Sequence, residues 1–302
     1  MHNLSNNFRL FSNIVKSVLK AHVNADDNFR FYPRKPKLSD CDVLALALTA
    51  EALGIDSETY LFEKLKCEYQ STFPNLIHRS NFNRRKKALS RYWQLLVQTL
   101  GGQMNAGEHI YIVDSVPVPV CKLIRMKASS VCKERFETAP DMGYSAVNKA
   151  WYYGYKLHVV ISLKGVCYSM DLSKASVQDV HYLKDIKRSG LNNCLLIGDR
   201  GYLSKSFQLD LFHTAQVVLK TPMRINQPTR QKLSPVLTKM RKRIETLFSQ
   251  LCDQFMLRRN YAKSVLGLST RIANKLATVT CLQFINQQNK KPINQLKYAL
   301  AF

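Results

Sequence analysis

The sequence predicts a mixed α/β fold, with a sheet flanked by helices and an all-helical region ahead of it. Three observations predict this. Residues 1 to about 106 carry apolar side chains at helical spacing. From about residue 109, short β-rich runs bounded by turn residues take over, and after Pro235 helical spacing returns. The division expected is 1–106 for the helical region and 107–302 for the sheet-bearing region, with the C-terminal helices grouped with the latter.

In the first region Leu10, Phe11, Ile14, Val15, Val18 and Leu19 form one apolar stripe. A second helix starts at Ser39, an N-cap with Asp40 and Asp42 in the first turn, and stops near Gly54. A third follows Ser57. SNFNRRKKALSRYWQLLVQTL reads as one further helix capped by Ser80. Its first turns carry Arg84, Arg85, Lys86, Lys87 and Arg91, a pattern that suits a phosphate-contacting element and equally a solvated charged face.

The second region opens with HIYIVDSVPVPV, an apolar run broken by prolines. YYGYKLHVVISLKGVCYSMDLS holds two strands joined at Lys164-Gly165, a hairpin signal. A helix is expected around Gln178–Lys187, with Asp179 and His181 as a helix-start pair. NNCLLIGDRGY and AQVVLKTP supply two short strands. In PVLTKMRKRIETLFSQLCDQF, Met240, Ile244, Leu247, Phe248, Leu251 and Phe255 share one helix face.

Charge narrows the function. The 302 residues hold 45 Lys and Arg against 21 Asp and Glu, a formal net charge of +24. That excess favours a polyanionic partner, since each cation set against a phosphate releases condensed counterions. The N-terminus lacks the continuous apolar core of a signal peptide, and no run of about 18 apolar residues suggests a membrane span. The eight cysteines form no CxxC pair, and several sit inside apolar runs, as small buried hydrophobes do.

Three acids stand out against this basic background. Asp114 follows Ile112 and Val113, and Asp199 follows Leu195, Leu196, Ile197 and Gly198. A carboxylate at the end of a buried strand costs several kcal/mol unless paired or liganded, and strand ends of α/β sheets face the crevice where ligands bind. Either residue alone also suits a turn or a cap. Glu245 lies on the amphipathic helix that follows Pro235, among Arg241, Lys242 and Arg243. From Arg224 to Phe302 there are fifteen Lys and Arg but only two acids, Glu245 and Asp253. Pairing with Arg241, four residues earlier, is the plainer role for Glu245. Two divalent ions about 3.5–4 Å apart, held by carboxylates, are what phosphodiester chemistry needs.

DSVPVP, YYGYKLHVVIS, IGDRGY and RKRIETLFSQL, in this order, resemble the catalytic segments of bacterial insertion-sequence DDE transposases. The resemblance is strongest to the family numbered nine-eighty-two, spans about residues 35 to 300, and includes SNFNRRKKAL. It implies a ribonuclease-H-like core in which Asp114, Asp199 and Glu245 are the catalytic, metal-holding acids. The ions implied are two Mg²⁺, with Mn²⁺ able to substitute. It further implies cleavage at element ends, transfer of 3′ ends to target DNA, homo-oligomerisation on double-stranded DNA, and a cytoplasmic, nucleoid-associated setting. Many related transposases have Tyr and Lys where Thr238 and Cys252 stand here; Arg241 matches.

Beyond the acids, Lys156 and His158 share a strand face and could meet phosphate or serve structure. Arg200 could hold a carboxylate or the scissile phosphate, and Arg241 and Arg243 would flank the cut. Two rival functions are a metal-dependent nuclease without strand transfer and a non-catalytic DNA-binding derivative of a transposase.

Overall fold

A computed structural model describes residues 3–222 and 234–301. The described chain divides into two compact units: Met1–Met104 with Asp253–Met256 and Leu266–Phe302, and Asn105–Cys252 with Leu257–Val265. Arg224, Arg230 and Lys232, three of the basic residues in the C-terminal stretch, lie outside the described residues.

The first unit is helical: α1 (Leu4–Val18), α2 (Asp40–Ala52), α3 (Glu58–Glu68), α4 (Arg79–Ala88), α5 (Ser90–Met104) and α9 (Val265–Gln288). On α1, Phe11, Ile14 and Val15 are buried, as the stripe predicts. α2 begins with a full capping box, in which the Ser39 hydroxyl and the Asp42 carboxylate each accept the other residue's backbone N–H. It ends where Gly54 adopts φ +70°, a left-handed conformation that suits glycine after a helix. α2 and α9 are apolar nearly all round and are buried accordingly. α9, which the sequence division groups with the second half of the chain, packs within this first unit.

One expected helix is two. The RRKKALSRYW stretch breaks at Leu89 between α4 and α5, and the cap is the ring of His78, which accepts the Ser80 N–H, rather than Ser80 itself.

The second unit is a mixed sheet with helices on it, as the sequence predicts, and among the described residues it has six strands. Its strands are β1 (Ile110–Cys121), β2 (Asp141–Ser145), β3 (Ala150–Ser162), β4 (Cys167–Lys174), β5 (Cys194–Ile197) and β6 (Val217–Lys220). β1 is central: β3 runs antiparallel on one side of it and β5 parallel on the other. β4 and β2 both pair antiparallel with β3, and β6 runs parallel to β5. The β3–β4 connection turns at Lys164 and Gly165 (φ +87°), as expected. Antiparallel strands followed by parallel ones joined through helices is the ribonuclease-H-like order. The prolines do not end β1. Past Ile112 its described pairing is with β3 alone, so a residue without an N–H fits on the open side. Gly154 is needed opposite Pro119, because a Cβ there would lie 2.2 Å from the Val118 carbonyl oxygen.

Helices α6 (Leu183–Arg188) and α7 (Lys205–Ala215) cover the sheet, and α8 (Pro235–Asp253) starts with proline in its first turn behind Ser234. Tyr111, Val113, Leu183, Ile186, Leu196, Tyr202, Leu211 and Val217 form the buried core between sheet and helices. β2 and α7 were not foreseen. β2 is five residues with glycine at its centre, and α7 buries only Leu211 and ends at Gln216 without a glycine. Cys41, Cys132, Cys167, Cys194 and Cys281 are buried. Among the described residues no helix is long and apolar enough to cross a membrane.

Candidate active site

The sheet register sets two acids side by side. Ile112 pairs in parallel with Ile197, and Asp114 and Asp199 each follow two residues later. Both therefore emerge where β1 and β5 part, at the C-terminal edge of the parallel strands. Asp114 Oδ1 accepts the N–H of Ser115 at 2.8 Å. Asp199 Oδ1 accepts the N–H of Gly201 at 2.7 Å and caps the short 3-10 turn Arg200–Tyr202.

A further carboxylate, that of Asp179, lies beside them. Asp179 opens the 3-10 turn Asp179–Tyr182, but its side chain caps nothing. Its Oδ1 accepts from the Ser115 hydroxyl at 3.1 Å and from Lys156 Nζ at 3.0 Å. Lys156 also donates to the Val177 carbonyl at 2.8 Å. Asp179 Oδ2 faces the loop after β5: a Cβ on Gly201 would stand 3.0 Å from it and 3.0 Å from Asp199 Oδ1. In the sequence it stands as the start of a helix, a context unlike the apolar runs that precede Asp114 and Asp199.

Burial pushes the Asp114 carboxyl up to about 7, and the nearby charge of Asp199 adds to this; the Ser115 amide and Arg241 pull the other way. Asp199 is raised too, again chiefly by burial, with Asp179 contributing and the Gly201 amide opposing. Arg241, half-buried on α8, brings Nη2 to 4.0 Å from Asp114 Oδ2, longer than a hydrogen bond. The pocket thus holds more negative charge than its cations neutralise.

The other expected residues divide sharply. His158 is buried: one ring nitrogen meets the Ser173 hydroxyl at 2.8 Å, the other the Tyr202 hydroxyl at 3.3 Å, and the ring stacks on Tyr182 at 4.6 Å. Burial lowers its pKa to about 4, leaving it neutral, so it is a structural member of the β3 face and not a phosphate contact. Arg85 and Lys86 are turned away from solvent as well. Both are buried, Arg85 against Asp40 and the Leu38 carbonyl, Lys86 against Glu58. Their charges are consumed inside the helical unit. Arg84 is exposed and Lys87 partly so. Arg200, Arg243 and Glu245 are exposed, with Glu245 one turn beyond Arg241 on α8. Trp93 is fully buried, whereas Trp151 is 57% exposed beside Tyr144.

Residues 104–265 match the family model described as "Transposase DDE domain". The chain belongs to the DDE transposases. This transposase is also similar to two solved structures. One is "Mos1 transposase paired-end complex with left transposon end", at 16% identity and TM-score 0.25, covering 78% of each chain. The other is "Crystal structure of a pre-cleavage Mos1 transpososome", at 13% identity and TM-score 0.24, covering 87% of this chain and 82% of that one. No curated protein matches it in sequence.

DDE domains work with divalent metal ions. The donors in this transposase fit such ions in kind: hard carboxylate oxygens at a strand edge, one of them pushed up to about 7 by burial and by the neighbouring charge of Asp199. They fit in part by position. Among the described residues no three His, Cys, Asp or Glu side chains close into a metal-holding group.

Proposed function

We propose that the chain is an insertion-sequence transposase, of the bacterial family numbered nine-eighty-two. It would cut double-stranded DNA at the element's ends and join the freed 3′ ends to target DNA, acting as a homo-oligomer. The observation that carries the reading is the Ile112–Ile197 register, which sets Asp114 and Asp199 together within the family-matched segment. Asp114 and Asp199 would hold divalent ions, Mg²⁺ or Mn²⁺. Bound there, the ions supply activation of the attacking oxygen and neutralisation of the departing one.

The chain's own groups do the rest. Asp114 carries a proton for part of the time near pH 7 and releases it when a cation arrives. Lys156 and Arg241 place positive charge at the pocket, where a scissile phosphate would lie. Water would be the first nucleophile and a 3′-hydroxyl the second, so no covalent protein–DNA link is needed. Glu245 is the third acid of this proposal. Residues four apart share a helix face, so it stands on the same side of α8 as Arg241.

Cleavage and strand-transfer assays on paired element ends test the reading. Mg²⁺-dependent nicking and joined product are expected from the wild type, and neither from Asp114→Asn. Cleavage without joining would make the chain a nuclease. The exposure of Glu245 favours another rival, a DNA-binding derivative that does not cut, and any metal-dependent cleavage by the wild type eliminates it.

A further inference from the structure

We infer that Asp179 is a positioning residue that holds Asp114 and Asp199 at the separation metal binding requires; the inference rests on the function proposed above. Asp179 reaches the two acids in different ways. Ser115 gives its backbone N–H to Asp114 and its hydroxyl to Asp179. Gly201 gives its backbone N–H to Asp199 and lies beside Asp179, whose Oδ2 would stand 3.0 Å from a Cβ at that position. Each acid of the pair is thus oriented by a residue that Asp179 itself touches. One carboxylate bonds β1 through Ser115 and β3 through Lys156, and lies beside the loop after β5.

Lys156 completes the device. Three acids crowded into one pocket repel one another. The Lys156 ammonium, anchored by the Val177 carbonyl, neutralises Asp179 and leaves the charges of Asp114 and Asp199 for a metal. The absence of a side chain at Gly201 belongs to the same arrangement, because a methyl group there would press on Asp179 and Asp199 at once. Groups that orient metal-holding side chains typically change metal affinity about 10–100-fold when removed.

The test is Mn²⁺ binding to the full chain without DNA, followed by electron paramagnetic resonance, together with the melting temperature of the metal-free protein. Asp179→Asn is expected to weaken Mn²⁺ binding about 10–100-fold with the metal-free melting temperature unchanged or higher. Gly201→Ala, which perturbs the pair from the other side without changing charge, is expected to weaken it in the same direction. Affinities for both variants within about twofold of wild type, a margin well below that range, would overturn the inference and leave the proposed function standing. A loss that only follows a matching fall in melting temperature would overturn it as well. If wild type and Asp114→Asn bind Mn²⁺ equally, the proposed metal pair itself fails, and this inference with it.

Discussion

In the helical unit Asp40, Glu51, Asp56 and Glu58 each lie against a cation: Arg85, Lys275, Arg271 and Lys86 respectively. In the sheet unit, among the described residues, Asp114, Asp179 and Asp199 have only the Lys156 cation at hydrogen-bond distance and Arg241 at 4.0 Å. The residue types are the same and all are largely removed from water, but the consequences are opposite. Burial pushes Glu58 upward, yet Lys86 and Asn83 outweigh it and hold Glu58 below the usual carboxylate range. At Asp114 burial and neighbouring acids prevail, and the carboxyl rises to about 7. A paired buried acid is part of the scaffold. An acid pocket short of cations is a place where one can bind.

The largest effect expected separates the two kinds of acid by function. Asp199→Asn should reduce metal-dependent DNA cleavage by about 10⁴-fold, roughly 5 kcal/mol of barrier, with the fold intact by circular dichroism. A comparable loss from Glu51→Gln in a protein that stays folded would break the comparison.

Next in size is the scaffold side. Lys275 is 2% exposed and donates to Glu51 at 2.7 Å. Lys275→Ala should lower unfolding free energy by about 3–5 kcal/mol, because it strands a buried charge. Denaturant titration measures this, and a cost below about 1 kcal/mol, the range of an exposed pair, would show the pair to be dispensable.

A smaller effect has the opposite sign. Asp114 binds its proton more tightly when folded, so its contribution to stability falls as pH rises from about 4, the unfolded value, to about 7. Asp114→Asn should therefore stabilise the metal-free protein at pH 8, by about 1–2 kcal/mol given that a fifth of the side chain is exposed. At pH 4 the gain should vanish. Melting curves at the two pH values check both the sign and the window.

The smallest effect concerns neighbours on α4. Arg84→Ala should change stability by less than about 0.5 kcal/mol and lower the salt dependence of DNA affinity by about one unit. Arg85→Ala should instead destabilise the fold by about 3 kcal/mol. Equal behaviour of the two would mean that burial does not distinguish them.

Strand patterning was legible because buried strands are written as continuous apolar runs, and these runs mark Asp114 and Asp199 as strand-end acids. The capping box at Ser39 and the turn at Gly165 were legible because their chemistry is local. Asp179 was not: its sequence context is that of a helix start, and nothing nearby in the chain names Ser115 or Lys156 as partners. The same blindness made Arg85 and Lys86 look like DNA contacts, since their partners Asp40 and Glu58 lie 45 and 28 residues away.

By itself, the sequence determined the α/β class, the excess of positive charge, and the two strand-borne acids, all of which depend on composition or on contacts within a few residues. Tertiary structure alone decided which charges are spent and which are left over. Neutralisation in a buried site depends on distances of a few ångströms between segments far apart in the chain, and these are set by strand register and helix packing rather than by spacing along the sequence.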